Sequence, residues 1–286
     1  MPEPDTLAQD RRADLELLVS AAREAGEIAK GFFRRSPQIW TKAHDSPVTE
    51  ADIAADRFLF ERLVGARPDY GWLSEETADT PERLSRRRVF VVDPIDGTRG
   101  FIEGSPDWCV SVAIVEDGIP VVAALAVPTR AEWFEAVSGG GAKLNGEPIS
   151  VATQPGAPLR FAGPMRHMRA LSDEGLAFGE RRITPSLAYR ITLVAAGRLD
   201  LATASPNAHD WDLAAADLLV HEAGGTLCTA AGEAVRYNRA EPRHPALLAG
   251  VSGLVARAEA AVREVEQRSE DRRRADSTHA SGAGTS

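Results

Sequence analysis

Between residues 15 and 33, apolar side chains return at helical spacing (Leu15, Leu18, Ala22, Ala25, Ala29, Phe32, Phe33), which predicts an amphipathic helix with one buried stripe. A second helix is expected over 51–63. The period then shortens. Residues 89–92 form a short apolar, β-branched run ending at Asp93-Pro94, where proline's fixed φ and missing N–H argue against continuing the strand and place Asp93 at its C-terminal end. Residues 108–115 and 119–127 flank Glu116-Asp117-Gly118, whose glycine suits a positive φ, and read as a β-hairpin. A strand over 133–137 follows, and Gly139-Gly140-Gly141 and Asn145-Gly146 mark turns rather than a nucleotide cradle.

From about residue 156 the pattern alternates. Strands are expected at 159–162, 181–184, 199–203, 226–228 and 246–251, with helices at 169–178, 187–196, 212–223 and from 254 onward. Gly224-Gly225 supplies the stop for the helix before it. Helices alternating with short strands imply an α/β layer, so the fold class is α/β: an α+β N-terminal half over 1–155 and an α/β C-terminal half over 156–267. Residues 268–286, rich in Arg, Glu, Ser and Gly and without apolar periodicity, are expected to be a disordered tail.

The chain has 286 residues, 43% apolar and 26% charged, enough to bury a sizeable core in one large domain or two ordinary ones. Cys109 and Cys228 are too few for a disulfide framework and point to a reducing cytoplasm. The polar, acidic residues 1–14 lack the pattern of a signal peptide, and no run approaches the roughly 18 apolar residues of a membrane span, so neither export nor a membrane partner is expected. A formal charge of -9 argues against a nucleic-acid polymer as partner. A phosphate-bearing substrate would be equally unwelcome, unless some of the carboxylates are ligands of divalent cations that invert the local field.

Four acidic clusters stand out: Asp52 in Ser-Pro-Val-Thr-Glu-Ala-Asp, Glu75-Glu76, the Asp93/Asp96 pair, and Asp212 after Trp211. Taken singly each is ordinary, since paired surface acids are usually solvated and Asp212 could cap its helix. Asp93-Pro94-Ile95-Asp96-Gly97-Thr98 differs because local oddities coincide. A strand delivers one carboxylate, proline turns the chain, a second carboxylate follows, and glycine permits close backbone approach to a ligand. A helix starting near Thr98 would aim free N–H groups at an anion beside the metals, and an all-oxygen site suits magnesium. Competing nucleophiles are weak: Ser74 and Ser105 lack an elbow, the cysteines lack a basic setting, and the six histidines show no metal-ligand spacing.

The same hexapeptide with Phe101 is similar to the first signature of the inositol monophosphatase superfamily. Trp211-Asp212-Leu213-Ala214-Ala215 through Glu222-Ala223-Gly224-Gly225 resembles the second. Val48-Thr49-Glu50-Ala51-Asp52 and Ser74-Glu75-Glu76 match two further family motifs in the expected order. The resemblance implies a layered α-β-α-β-α sandwich with the site where the halves meet, a phosphomonoesterase activity on a small phosphate ester, lithium sensitivity and a homodimer. Carried over by residue, it implies that Glu75, Asp93 and the Ile95 carbonyl hold one Mg2+, and that Asp93, Asp96 and Asp212 hold a second. Glu75 would also touch a third. Gly97 and Thr98 would offer N–H groups to the phosphate, and Thr98 and Asp52 would orient the attacking water.

Residues 42–52 look more like the 3'(2'),5'-bisphosphate nucleotidase branch, in which Ser-Pro-Val-Thr precedes an Ala-Asp pair. Inositol phosphatases of the family tend to carry an acid seven residues before the helix aspartate, where this chain has Ser205, with Asp210 the candidate substitute. The expected substrate is therefore 3'-phosphoadenosine 5'-phosphate or a related nucleotide, followed by inositol 1-phosphate, then histidinol phosphate or a sugar bisphosphate. Lys42, Arg99, Trp108, His209 and Asp210 are the pocket candidates. The non-enzyme alternative is a metal- or phosphate-sensing regulatory protein.

Overall fold

Helix α1 (Pro4–Phe32) leads into a two-stranded ribbon, β1 (Ile39–Thr41) against β2 (Pro47–Thr49), and then into α2 (Glu50–Ala66). The structure is a computed structural model that describes residues 4–41 and 47–282. Helix α2 begins where Thr49 caps it. The threonine hydroxyl accepts from the N–H groups of Ala51 and Asp52, while Asp52 Oδ2 accepts from the Thr49 N–H, so orphan donors are satisfied in both directions.

A seven-stranded sheet follows: β3 (Gly71–Ser74), β4 (Arg88–Asp96), β5 (Cys109–Glu116), β6 (Ile119–Val127), β7 (Glu132–Val137), β8 (Ala142–Leu144) and β9 (Glu147–Pro148), hydrogen-bonded in that order. Only β3 and β4 run parallel, and the short α3 (Thr98–Ile102) links β4 to β5. The β5–β6 hairpin turns on Asp117 and Gly118, both at positive φ (51° and 80°), as a two-residue loop of matching twist requires.

The second half supplies β10 (Leu159–Ala162), α4 (Met165–Asp173), β11 (Phe178–Arg181), α5 (Leu187–Ala195), β12 (Leu201–Ala204), β13 (Ala208–His209), α6 (Asp210–Glu222), β14 (Thr226–Thr229), β15 (Arg243–His244), β16 (Leu247–Gly250) and α7 (Ser252–Gly282). Its five-stranded sheet has the order β11-β10-β12-β16-β14, parallel on the β11 side and antiparallel on the other.

Strand periodicity of two sorts the layers. On β4, Phe90 and Val92 pack with Leu18, Leu59 and Leu63 of α1 and α2, whereas Val89 and Val91 share a core with Leu193 and Leu219 of α5 and α6. That second core runs on to Leu227 and Leu247, and Phe161, Leu201 and Leu248 meet Val255 and Val262 of α7 on the far face. The result is an α-β-α-β-α sandwich. Helix α6 buries Leu213, Ala214, Ala215, Ala216, Leu218, Leu219 and Val220 because it lies between two sheets and has almost no solvated face.

Three expectations need correction. Strand β4 does not stop at Pro94 but pairs again at Asp96, the register shifting between Asp93↔Ser111 and Asp96↔Cys109. Proline's missing N–H falls inside this bulge, where the ladder makes no demand on it. Helix α4 spans Met165–Asp173 rather than 169–178; Gly175, at φ 82°, ends it, and Phe178 begins β11 and packs on Phe161, ring centroids 5.1 Å apart. Helix α7 continues to Gly282 through the stretch expected to be disordered from 268. Between Gly253 and Gly282 there is no glycine or proline, and Arg268 bonds Glu264 at 2.5 Å while Gln267 bonds Asp271 at 3.2 Å. A polar sequence of good helix formers makes a solvated helix without needing an apolar stripe. Among the described residues no helix is long and apolar enough to cross a membrane.

Candidate active site

The bulge in β4 lets Asp93 and Asp96 serve one cavity although they are three residues apart on a strand. Asp93 Oδ1 accepts from the Ile95 N–H at 3.0 Å, which tightens the bend. Gly97 then turns the chain at φ 95° into α3, and its missing Cβ matters twice, because a Cβ there would lie 3.0 Å from Ser186 N. At Gly100 a Cβ would lie 2.7 Å from Pro185, so the two halves abut along this face of α3.

Asp212 arrives from the other half at the third residue of α6, where its Oδ2 accepts from the His209 N–H at 2.7 Å. Asp93, Asp96 and Asp212 each offer a carboxylate oxygen, and these oxygens all lie within 4.8 Å of one another. A cavity of about 210 Å³ opens on them, bordered also by Glu75, Thr98 and Arg99.

Burial and mutual repulsion dominate the electrostatics. The Asp93 carboxyl is pushed well above the usual carboxylate range by burial first, then by the charges of Glu75, Asp96, Asp212 and Asp52. Asp212 is pushed well above it by burial and Asp96, against the pull of the His209 N–H. Asp96 is raised by burial although Ser186 and Ala188 donate to it. Asp93 Oδ2 is buried and has no hydrogen-bond partner among the described residues. Several crowded carboxylates, one with an orphaned oxygen, are costly as bare anions and become favourable around a hard cation with oxygen ligands. The residues fit a divalent metal.

Asp52 and Thr98 complete this face. Thr98 Oγ1 lies 3.1 Å from Asp52 Oδ1 and 3.0 Å from the Ile95 carbonyl, so Asp52, buried and held through Oδ2 by Thr49, fixes the hydroxyl's direction. Arg99 is exposed at the rim. Lys42 lies outside the described residues.

Other pocket candidates fall elsewhere. Asp210 is fully buried, accepting from Asn238 N and bonded to His244 Nε2, each at 2.7 Å, and does not border the cavity. Both of its carboxylate oxygens are thus engaged within the protein. Trp108 is fully buried on Phe101, with ring centroids 5.0 Å apart. His209 stacks flat on Trp211 at 4.5 Å, its pKa lowered by burial and Arg243, and it meets Asp212 Oδ2 through its backbone N–H at 2.7 Å and its Nδ1 at 3.9 Å.

Sequence reasoning missed two residues. Ser186 donates to Asp96 Oδ2, and Arg190 is carried one turn along the same helix α5. Ser186 could have been read as a helix cap, but its partner lies 90 residues away; nothing local marks Arg190.

A layered fold with buried acids converging between its halves defines a metal-dependent phosphatase acting on small phosphate esters. The chain belongs to the inositol monophosphatase family, whose model matches residues 10–273. It is 32% identical over 238 residues to the 3'(2'),5'-bisphosphate nucleotidase CysQ of Aggregatibacter actinomycetemcomitans, covering 79% of this chain and 88% of that protein. It is 34% identical over 230 residues to the histidinol-phosphatase of Chlorobaculum parvum, covering 74% and 84% respectively. Among solved structures, the extragenic suppressor protein suhB from Bartonella henselae matches with a TM-score of 0.77 and 28% identity, covering 87% of this chain and 98% of that one.

Proposed function

We infer that the protein is a Mg2+-dependent phosphomonoesterase whose substrate is a 3'(2'),5'-bisphosphate nucleotide, such as 3'-phosphoadenosine 5'-phosphate, converted to AMP. The orphaned oxygen of Asp93 among converging acids supports a site for two or three magnesium ions, held by Glu75, Asp93, the Ile95 carbonyl, Asp96 and Asp212. When bound, magnesium lowers the pKa of water and draws charge from the phosphoryl oxygens. The Gly97 and Thr98 N–H groups would receive the phosphoryl group, and the Thr98 hydroxyl would take up a proton of the attacking water while passing its own to Asp52 Oδ1. The two cysteines, free and buried, suit a reducing cytoplasm.

Arg190 carries the choice of substrate. Its Nε is buried without a hydrogen-bond partner among the described residues; burial and Arg181 depress its pKa while Asp96 and Asp212 raise it, so it stands beside the acids. Ser205, where an acid would grip ring hydroxyls, is neutral and accepts from Arg166 Nη2 at 2.8 Å. Arg190 does not border the cavity that opens on the acids, but one unpartnered guanidinium N–H within electrostatic reach of Asp96 and Asp212 suits a second anionic group better than the neutral ring of inositol. Phosphate release with magnesium from 3'-phosphoadenosine 5'-phosphate, inositol 1-phosphate, histidinol phosphate and fructose 1,6-bisphosphate tests this. The bisphosphate nucleotide is expected to have the highest kcat/KM; faster turnover of inositol 1-phosphate refutes the choice.

A further inference from the structure

We propose that Ser186 is a positioning residue through which the C-terminal half holds a carboxylate of the N-terminal half, Asp96, in the orientation that completes the metal site. The proposal rests on the metal-site part of the reading above and is independent of which ester is cleaved.

Ser186 is fully buried and does two things with one hydroxyl. It accepts from the Tyr189 N–H at 3.0 Å as the cap of α5, and it donates to Asp96 Oδ2. The Ala188 N–H, in the first turn of the same nine-residue helix, donates to that same oxygen at 2.6 Å, and Cys109 Sγ approaches it at 3.9 Å. Asp96 Oδ2 is thereby saturated by donors from α5, and Oδ1 remains as the ligand atom. A carboxylate gripped at one oxygen by a charge-assisted hydroxyl bond and a helix-end N–H loses the rotation that would carry its other oxygen out of the cluster.

Backbone packing makes the grip rigid. Gly97 and Gly100 admit Ser186 and Pro185 so closely that a Cβ would meet them at 3.0 and 2.7 Å. The serine therefore cannot drift from Asp96 unless the halves part. Outer hydrogen-bond partners of metal ligands typically govern affinity by 10-fold or more, and here that partner belongs to the other half of the fold. Assembly of the metal site is then coupled to docking of α5 on the first sheet.

The test separates the hydroxyl's two duties. Glycine is itself a tolerated N-cap, so Ser186→Gly removes the bond to Asp96 while largely sparing the helix, and Ser186→Thr keeps a hydroxyl. Titration of the metal-free proteins with Mg2+ by calorimetry, with Mn2+ as a second probe by electron paramagnetic resonance, should show Ser186→Gly binding about 10-fold or more weakly at an unchanged circular dichroism spectrum, with affinity restored in Ser186→Thr. A folded Ser186→Gly protein with the parent's isotherm overturns the proposal. A parent protein that takes up no divalent ion instead overturns the metal reading, and the proposal with it. If Ser186→Gly fails to fold, Ser186→Thr decides: parental affinity supports the proposal, and a folded threonine variant bound about 10-fold more weakly overturns it.

Discussion

Thr98 Oγ1 stands 3.1 Å from Asp52 Oδ1 across 46 residues of sequence, joining the first turn of α3 to the first turn of α2 beside the acid cluster. Asp52 is also half of the α2 capping box, so its removal mixes chemistry with stability. Thr98→Ala is cleaner. Losing a positioned proton acceptor costs about 10²-fold or more in kcat. Steady-state kinetics should show that fall in kcat with little change in KM, and thermal unfolding should stay close to the parent's.

Asp93 leads to a prediction about stability. Its carboxyl, like that of Asp212, titrates well above the ordinary range because of burial and like charges, so the folded protein holds protons that the unfolded chain releases. Stability then falls as pH rises, because the native state is the one binding more protons. The metal-free protein should lose Tm as pH climbs from about 4, the unfolded carboxylate pKa, toward neutrality. Magnesium should return that loss. Asp93→Asn should flatten the pH dependence and remove turnover; a parent Tm that rises over the same range contradicts the electrostatics.

Arg190→Ala tests whether this guanidinium near the acids acts on the second phosphate. A lost hydrogen bond between charged groups is worth about 1.5–3 kcal/mol, or roughly 10- to 150-fold. That factor is expected in kcat/KM for 3'-phosphoadenosine 5'-phosphate. Adenosine 3'-monophosphate, which lacks the second phosphate, should change much less, and equal losses on both substrates would assign Arg190 to the metal site.

Ion competition probes the cluster itself. Lithium should inhibit by competing at a magnesium position, and calcium should inhibit because it accepts looser, larger coordination than the reaction needs. Initial rates across lithium and calcium titrations at fixed magnesium check both. Indifference to calcium would mean a site that does not discriminate coordination geometry.

Much of the site could be read from local sequence. Asp93-Pro94-Ile95-Asp96-Gly97-Thr98 and Trp211-Asp212 announced themselves by residue type and order, and the structure brings Asp93, Asp96 and Asp212 together. Asp210 stands two residues before Asp212, and at about 100° per residue of helix the two side chains point to nearly opposite sides, so this one turns to His244. The bulge at Pro94 was hidden for a related reason, since a rule about proline in regular strands does not foresee irregular pairing. Apolar periodicity reports which face of a helix is buried, so it gives no signal for the exposed polar residues 270–273 of α7.

By itself the sequence determined the longer helices and the central strands of both halves, the inward faces of α1, and the identity of the acids, because these depend on side-chain type and on spacings of two to four residues. Only the tertiary structure decided that Ser186 grips Asp96, that Arg190 stands beside the cluster and that Asp210 is excluded from it. Those outcomes depend on how α5 and α6 dock between two sheets. Contacts made across tens of residues are set by packing of whole elements, which no local window of the chain contains.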